Sequence, residues 1–145
     1  MILKEIHGDL FTAPNGFYFA HCISGDYRLG AGIAVEFVKR FDMRNKLHKA
    51  YPIGSGKLFD NVGKALLINQ TFNLITKERH FHKPTYESLR TTLEDMKQQC
   101  DELGITKIAM PRIGCGLDRL QWEKVRQLIC DIFNDTNMQI LVYYL

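Results

Sequence analysis

Twice in this chain a short apolar run ends in a glycine-bearing turn that leads straight into a helical pattern, and few folds accommodate that order of elements. The clearer instance is PRIGCGLDRLQW, Pro111 to Trp122. Lys107 to Met110 before it are short and apolar, and Pro111 cannot donate to a sheet ladder, so a strand ends there. Gly114 and Gly116 free the backbone to turn sharply and bring its amides close to a ligand, where a Cβ would intrude. From Gln121 the period changes, and Trp122, Val125, Leu128, Ile129, Ile132 and Phe133 fall on one helical face. Such a turn brings unpaired N–H groups together with the positive end of a helix dipole, which suits an anion. The same turn also occurs as plain architecture. The second instance is RLGAGIAVEFVKRF, Arg28 to Phe41, where Ile33, Ala34, Phe37, Val38 and Phe41 repeat at three and four.

The rest of the chain fits around these two passages. Leu3 to Ile6 reads as a first strand closed by Gly8 and Asp9, and Phe17 to Ile23 as a second, ending in the turn Ser24 to Gly32. Asp42 to Gly63, with Pro52, Gly54 and Gly56, is irregular and reads as mostly loop with some helix. Lys64 to Asn69 and Thr71 to Thr76 are further strands, followed by the polar segment KERHFHKP. Tyr86, Leu89, Leu93, Met96, Cys100 and Leu103 then mark a helix, with Pro84 suited to its first turn and Gly104 to its C-terminal cap. Gln139 to Leu145 is expected as a final strand with no tail after it. Strands alternating with helices predict one layered α/β domain, residues 1–145, around a largely parallel sheet. Ligands of such sheets gather at the carboxyl ends of the strands. Asp9, Ser24, Gly30 to Gly32, Thr76, Lys77 and Arg112 to Asp118 would meet there, and they suggest a ligand bearing phosphate.

Composition narrows the classes. A chain of 145 residues, 46% hydrophobic, can bury one good core. The net charge of +3, from 19 basic and 16 acidic residues with no block of like sign, gives no independent argument for nucleic acid. The longest apolar runs, such as Ile140 to Leu145, fall far short of a membrane span or a signal-peptide core, so a soluble, intracellular (cytoplasmic) protein without membrane partners is expected. The 4 cysteines form no CxxC pair and the 5 histidines complete no zinc-finger spacing, so neither metal, disulfide framework nor cofactor is expected. Cys115 and Arg119 are spaced too closely for the phosphate loop of the thiolate phosphatases, and Cys115 reads as a small residue between glycines.

Six segments in order carry a more specific signal: GDLF at Gly8 to Phe11, AHCIS at Ala20 to Ser24, GAGIAV at Gly30 to Val35, LITK at Leu74 to Lys77, HKPTYE at His82 to Glu87, and PRIGCGLDRLQWE at Pro111 to Glu123. With these the chain resembles the macrodomain family, which binds ADP-ribose, and within it the terminal ADP-ribose protein glycohydrolase branch. The resemblance implies a three-layer α/β/α sandwich around a mixed, largely parallel sheet. It implies that Asp9 accepts from the adenine amino group, that Leu10 lines the same end, and that Tyr143 and Leu145 cover the adenine. Ser24 and the turn Gly30, Ala31, Gly32 and Ile33 would lie against the diphosphate and the modified ribose, with Thr76 close by. Arg112, Ile113, Gly114, Cys115, Gly116 and Leu117 would wrap the phosphates from the other side, chiefly through backbone N–H groups. The branch's nucleophilic lysine falls on Lys77 and its acid/base aspartate on Asp118. ADP-ribosylated protein or nucleic acid is the implied partner, and a monomer is expected.

The implied chemistry resembles retaining glycosidase chemistry, with a nucleophile for the sugar and a positioned group for the protons. A free lysine, with a pKa of about 10.4, is neutral in only roughly one molecule in two thousand at pH 7, a handicap of about 4 to 5 kcal/mol. A neighbouring carboxylate stabilises the ammonium, so Asp118 helps only by taking a proton as the reaction proceeds. Plainer roles compete. Asp118 stands three residues before Gln121, where it could cap the helix; Lys77 could be a strand-end lysine in a surface ion pair. His21 reads as a satisfied, half-buried histidine, His80 and His82 as solvated loop residues, and Trp122 as core. The absence of an asparagine-rich turn in HCISGDYRLGAGIA argues against the water mechanism of other macrodomain branches. Asn45 to Gly63 and the loop KERHF would border the acceptor's approach. An ADP-ribose 1″-phosphate phosphatase and a non-catalytic ADP-ribose reader remain the alternative functions.

Overall fold

The computed structural model describes residues 1–53 and 61–145; of the irregular stretch Asp42 to Gly63, residues 54–60 lie outside the described residues. Six strands form one sheet: β1 (Ile2–His7), β2 (Tyr18–Ser24), β3 (Ala65–Ile68), β4 (Thr71–Lys77), β5 (Lys107–Pro111) and β6 (Gln139–Tyr144), in the order β1-β6-β5-β2-β4-β3. Every neighbouring pair is parallel except the β3–β4 hairpin, whose register sets Ile68 opposite Thr71. The sheet is therefore mixed and largely parallel, with its antiparallel strand at one edge.

Period-2 alternation divides the buried side chains into two cores. Ala20, Phe72, Leu74, Ile108, Met110, Ile140 and Val142 face one way and meet α3 (Tyr86–Leu103) and α4 (Trp122–Phe133). Ile23, Leu66, Ile75, Ala109, Leu141 and Tyr143 face the other way and meet α1 (Ala34–Phe41), α2 (Met43–Ala50) and the short 3-10 turn Leu10–Thr12. Both faces are covered, which gives three layers. Full burial of each such Leu, Ile or Phe contributes about 1.5–3 kcal/mol, so loss of either helical layer would expose a whole face.

Helix α3 keeps its expected bounds: Thr85 and Ser88 form a reciprocal capping box, and Gly104 ends the helix in the left-handed region. Helix α2 is the element that the irregular reading did not resolve. Only Met43 and Leu47 are buried in MRNKLHKA, so its apolar stripe is too thin to read. Asp42, in the left-handed region at φ 54°, separates it from α1. Among the described residues no helix is long and apolar enough to cross a membrane.

Candidate active site

The parallel strands β1, β6, β5, β2 and β4 all point their carboxyl ends at one cleft of about 1150 Å³. Asp9 follows β1 and caps the 3-10 turn, one of its carboxylate oxygens accepting from the Phe11 amide at 2.9 Å. Leu10, Tyr143 and Leu145 line the same end, with Tyr143 buried and Leu145 almost wholly exposed just past the end of β6.

The turn after β2 forms one wall. The Gly25 amide bonds to the Lys77 carbonyl at 2.8 Å and so ties the ends of β2 and β4 together. Tyr27 and Leu29 hold left-handed backbone conformations that cost a non-glycine residue roughly 1–3 kcal/mol, and deep burial of both side chains keeps them there. The Tyr27 hydroxyl donates to the Tyr51 carbonyl at 2.9 Å, and the Arg44 guanidinium of α2 donates to the Arg28 carbonyl at 2.6 and 2.9 Å. Gly30, Ala31, Gly32 and Ile33 then enter α1, which has no side-chain cap. Among the described residues the amides of these four donate to no protein carbonyl, so the α1 N-terminus presents unpaired donors to the cleft.

The opposite wall is the loop 112–121. It folds on itself through Cys115 N–H to Arg112 O at 3.1 Å, Leu120 N–H to Gly114 O at 2.7 Å and Arg119 N–H to Gly116 O at 3.2 Å. Gly114 has φ +73°, where an L side chain is strained, and a Cβ there would come within 2.8 Å of Leu120 Cδ1 and force that side chain to shift. The amides of Gly116, Leu117 and Asp118 are left unpaired among the described residues. Leu117, 66% exposed, leans across to Gly32, where a Cβ would stand 3.5 Å from its Cδ1. Two sets of free amides thus face each other across a gap bounded by Leu117. The Arg112 side chain does not join them: its guanidinium lies 4.3 Å over the Tyr144 ring and donates to Glu5 at 3.3 Å.

At the inner end of this gap Lys77 Nζ stands 2.7 Å from Asp118 Oδ1, with the two side chains only 14% and 18% exposed. Asp118 is not the helix cap. Gln121 occupies that position, without a side-chain bond, because the loop's internal turns carry Asp118 back toward the end of β4. No thiolate competes as nucleophile: burial pushes the Cys22 thiol up to about 12, the Asp118 charge adding to it, and burial pushes Cys115 up to about 11. Among the described residues no three His, Cys, Asp or Glu side chains converge as a metal site.

Of the residues expected at the site, all line the cleft except Thr76. Its hydroxyl is buried beside the Cys22 thiol and its carbonyl accepts from Ser88, because its side chain faces the α3 layer while Lys77 breaks into the cleft at a bulge. Ser24 lines the cleft, but its hydroxyl is already donated to Asp26. His21 is buried completely, not half: Nε2 bonds Asn73 Oδ1 at 2.7 Å, the ring stacks on Phe37 at 3.9 Å, and Nδ1 finds no partner. Trp122 is half-buried against the α4 core and borders the cleft, its indole N–H donating to Glu5 at 2.8 Å.

Asp26 escaped the sequence reading. It accepts from the Ser24 hydroxyl, from the Arg28 amide at 3.1 Å, and from both the amide and Nδ1 of His80 at 2.9 and 3.0 Å. Burial works to raise its carboxyl, but these donors outweigh burial and bring it down to about 2. His80 is therefore not a free loop residue. The two partners stand 54 positions apart, and no local pattern reveals such a pair.

The family model for the Macro domain matches residues 28–129. The chain is 46% identical over 144 residues to ADP-ribose glycohydrolase OARD1 of Homo sapiens, covering 99% of this chain and 91% of that protein. In fold it is similar to the macrodomain of Thermus aquaticus DarG, with a TM-score of 0.80 at 22% identity over 99% of each chain. The macrodomain of Mycobacterium tuberculosis DarG aligns with a TM-score of 0.81 at 22% identity, over 98% of this chain and 97% of that one. A mixed sheet between two helical layers, glycine walls with free amides and this span of similarity lead to one conclusion: the chain belongs to the macrodomain family.

Proposed function

We propose that this protein is an ADP-ribosyl glycohydrolase that releases terminal ADP-ribose from modified acceptors, in the first place from glutamate and aspartate esters. The similarity to ADP-ribose glycohydrolase OARD1 supports the activity. The observation that carries the mechanism is the 2.7 Å contact between Lys77 and Asp118 at the inner end of a cleft with phosphate-suited walls. In this reading the adenine lies between Asp9, Leu10, Tyr143 and Leu145. The diphosphate meets the free amides of Gly30 to Ile33 and Gly116 to Asp118, which supply fixed dipoles in place of water.

The modified ribose then reaches Lys77. As the Nζ–C1″ bond forms, the bond from C1″ to the ester oxygen breaks, and the acceptor carboxylate leaves with the electron pair. The Nζ proton passes to Asp118, the only carboxylate in hydrogen-bond contact with it among the described residues. Water then adds at C1″ of the lysyl adduct, its hydroxyl staying on the sugar and its other proton going to Nζ as the C–N bond breaks, and Asp118 releases the proton it holds to solvent. ADP-ribose is the product.

The test assays glutamate-ADP-ribosylated protein beside ADP-ribose 1″-phosphate and examines enzyme quenched during turnover by mass spectrometry. Free ADP-ribose from the protein and an ADP-ribose adduct on Lys77 are expected. Phosphate release from the second substrate alone would make the protein a phosphatase, and binding without any product would make it a reader.

A further inference from the structure

The turn that follows Lys77 is fastened to the wall formed by the turn after β2, and it carries a ring to the mouth of the cleft. Asp26 grips His80 through both the backbone amide and Nδ1. The next residue, Phe81, borders the cleft and is 66% exposed. Its ring stands nearly perpendicular to those of His80, 5.3 Å away at 90°, and His82, 4.7 Å away at 75°, and most of it stays open to solvent. An isolated exposed ring is ordinary on a protein surface. A ring held by a two-point clasp four residues from the reacting lysine is not merely isolated, because the clasp fixes where it can make contact. Beside the cleft, sharing Lys77, His82 and Lys83 with it, lies a second groove of about 620 Å³ completed by Val62, Thr76, Glu78, Thr85 and Ser88. An acceptor longer than one side chain has somewhere to run.

The charges around the ring decide which acceptor. Among the described residues that line the cleft and the groove, Arg40, Lys77, Lys83 and Arg112 are matched in number by Asp9, Glu36, Glu78 and Asp118, so there is no excess of positive charge of the kind a phosphodiester backbone requires. An exposed apolar ring in a charge-balanced setting suits a polypeptide. We infer that Phe81 is a specificity-determining residue that packs against the polypeptide flanking a modified carboxylate, and that Asp26 and His80 are positioning residues that hold it there. The inference rests on the hydrolase reading above.

The test measures ADP-ribose release from a glutamate-ADP-ribosylated polypeptide, from O-acetyl-ADP-ribose and from an ADP-ribosylated single-stranded oligonucleotide, with wild type, Phe81→Ala, His80→Ala and the double variant. Phe81→Ala should raise KM for the polypeptide about tenfold while kcat, turnover of O-acetyl-ADP-ribose and affinity for ADP-ribose stay within about twofold. His80→Ala should reproduce most of that rise, and the double variant should add nothing further, since the two act as one unit. Both side chains are exposed, so thermal midpoints should hold. An equal loss on polypeptide and small conjugate, no loss on either, or a loss confined to the oligonucleotide would each overturn the inference. If wild type releases ADP-ribose from none of the three, the hydrolase reading falls first and this one with it.

Discussion

A lysine ammonium 2.7 Å from a carboxylate is ordinarily a resting ion pair; what sets Lys77 and Asp118 apart is their place, facing a cleft with an electron-poor wall of amides on either side. The pair is largely shielded from solvent, so its proton can move over one hydrogen bond without bulk water. Asp118→Asn keeps the shape and removes the proton acceptor. Its kcat on a glutamate-linked substrate should fall at least about a hundredfold, while affinity for ADP-ribose, measured by calorimetry, should hold or improve as a negative charge leaves the diphosphate's surroundings. Local sequence could not choose between this role and a helix cap, because both need an acid a few residues before the helix. The turn geometry chooses: Gly114 at φ +73° and Arg119 at φ 62° swing Asp118 away from Gln121. Thr76 erred for a related reason, since alternation along β4 aims it at the other layer and only the bulge at Lys77 reopens the cleft. Asp26 and His80 had no local signal at all.

At the scale of elements, strands and strongly periodic helices were legible because burial on both faces demands apolar runs and a 3.6-residue stripe demands several large side chains. Lys107–Pro111 and Tyr86–Leu103 match their expected bounds to within a residue. Helix α2 was illegible because two buried residues make no stripe, yet it holds the turn after β2 in place through Arg44. Arg44→Ala removes three hydrogen bonds to the carbonyls of Arg28 and Leu29, at roughly 0.5–1.5 kcal/mol each for bonds of this kind, less where solvent replaces them. Affinity for ADP-ribose should weaken about three- to tenfold, with kcat at saturation nearly unchanged. Unaltered affinity in calorimetry would show that buried Tyr27 and Leu29 suffice to hold the turn.

Across the whole molecule, two cores flank the sheet, and a histidine is buried against one of them. His21 is wholly buried against Phe37, and burial brings it down to about 4, its bond to Asn73 opposing that only in part. The folded state therefore resists a proton that the unfolded chain accepts below pH 6.5. Stability is fully present above that pH and is lost as the pH falls toward 4, by about 3 kcal/mol over that window. Urea unfolding at pH 7.5, 5.5 and 4 should show the decline. His21→Phe should flatten it while lowering stability at neutral pH, where Asn73 Oδ1 loses its donor. The same layer carries α1 and the glycine wall, so acid should loosen the ligand cleft along with the fold. All of this positions one chemical event, and its most direct test is Lys77→Ala. With glutamate-ADP-ribosylated protein as substrate and calorimetric affinity for ADP-ribose measured on the same sample, affinity should stay within about threefold while release falls at least about a thousandfold. Undiminished release by Lys77→Ala would contradict the account.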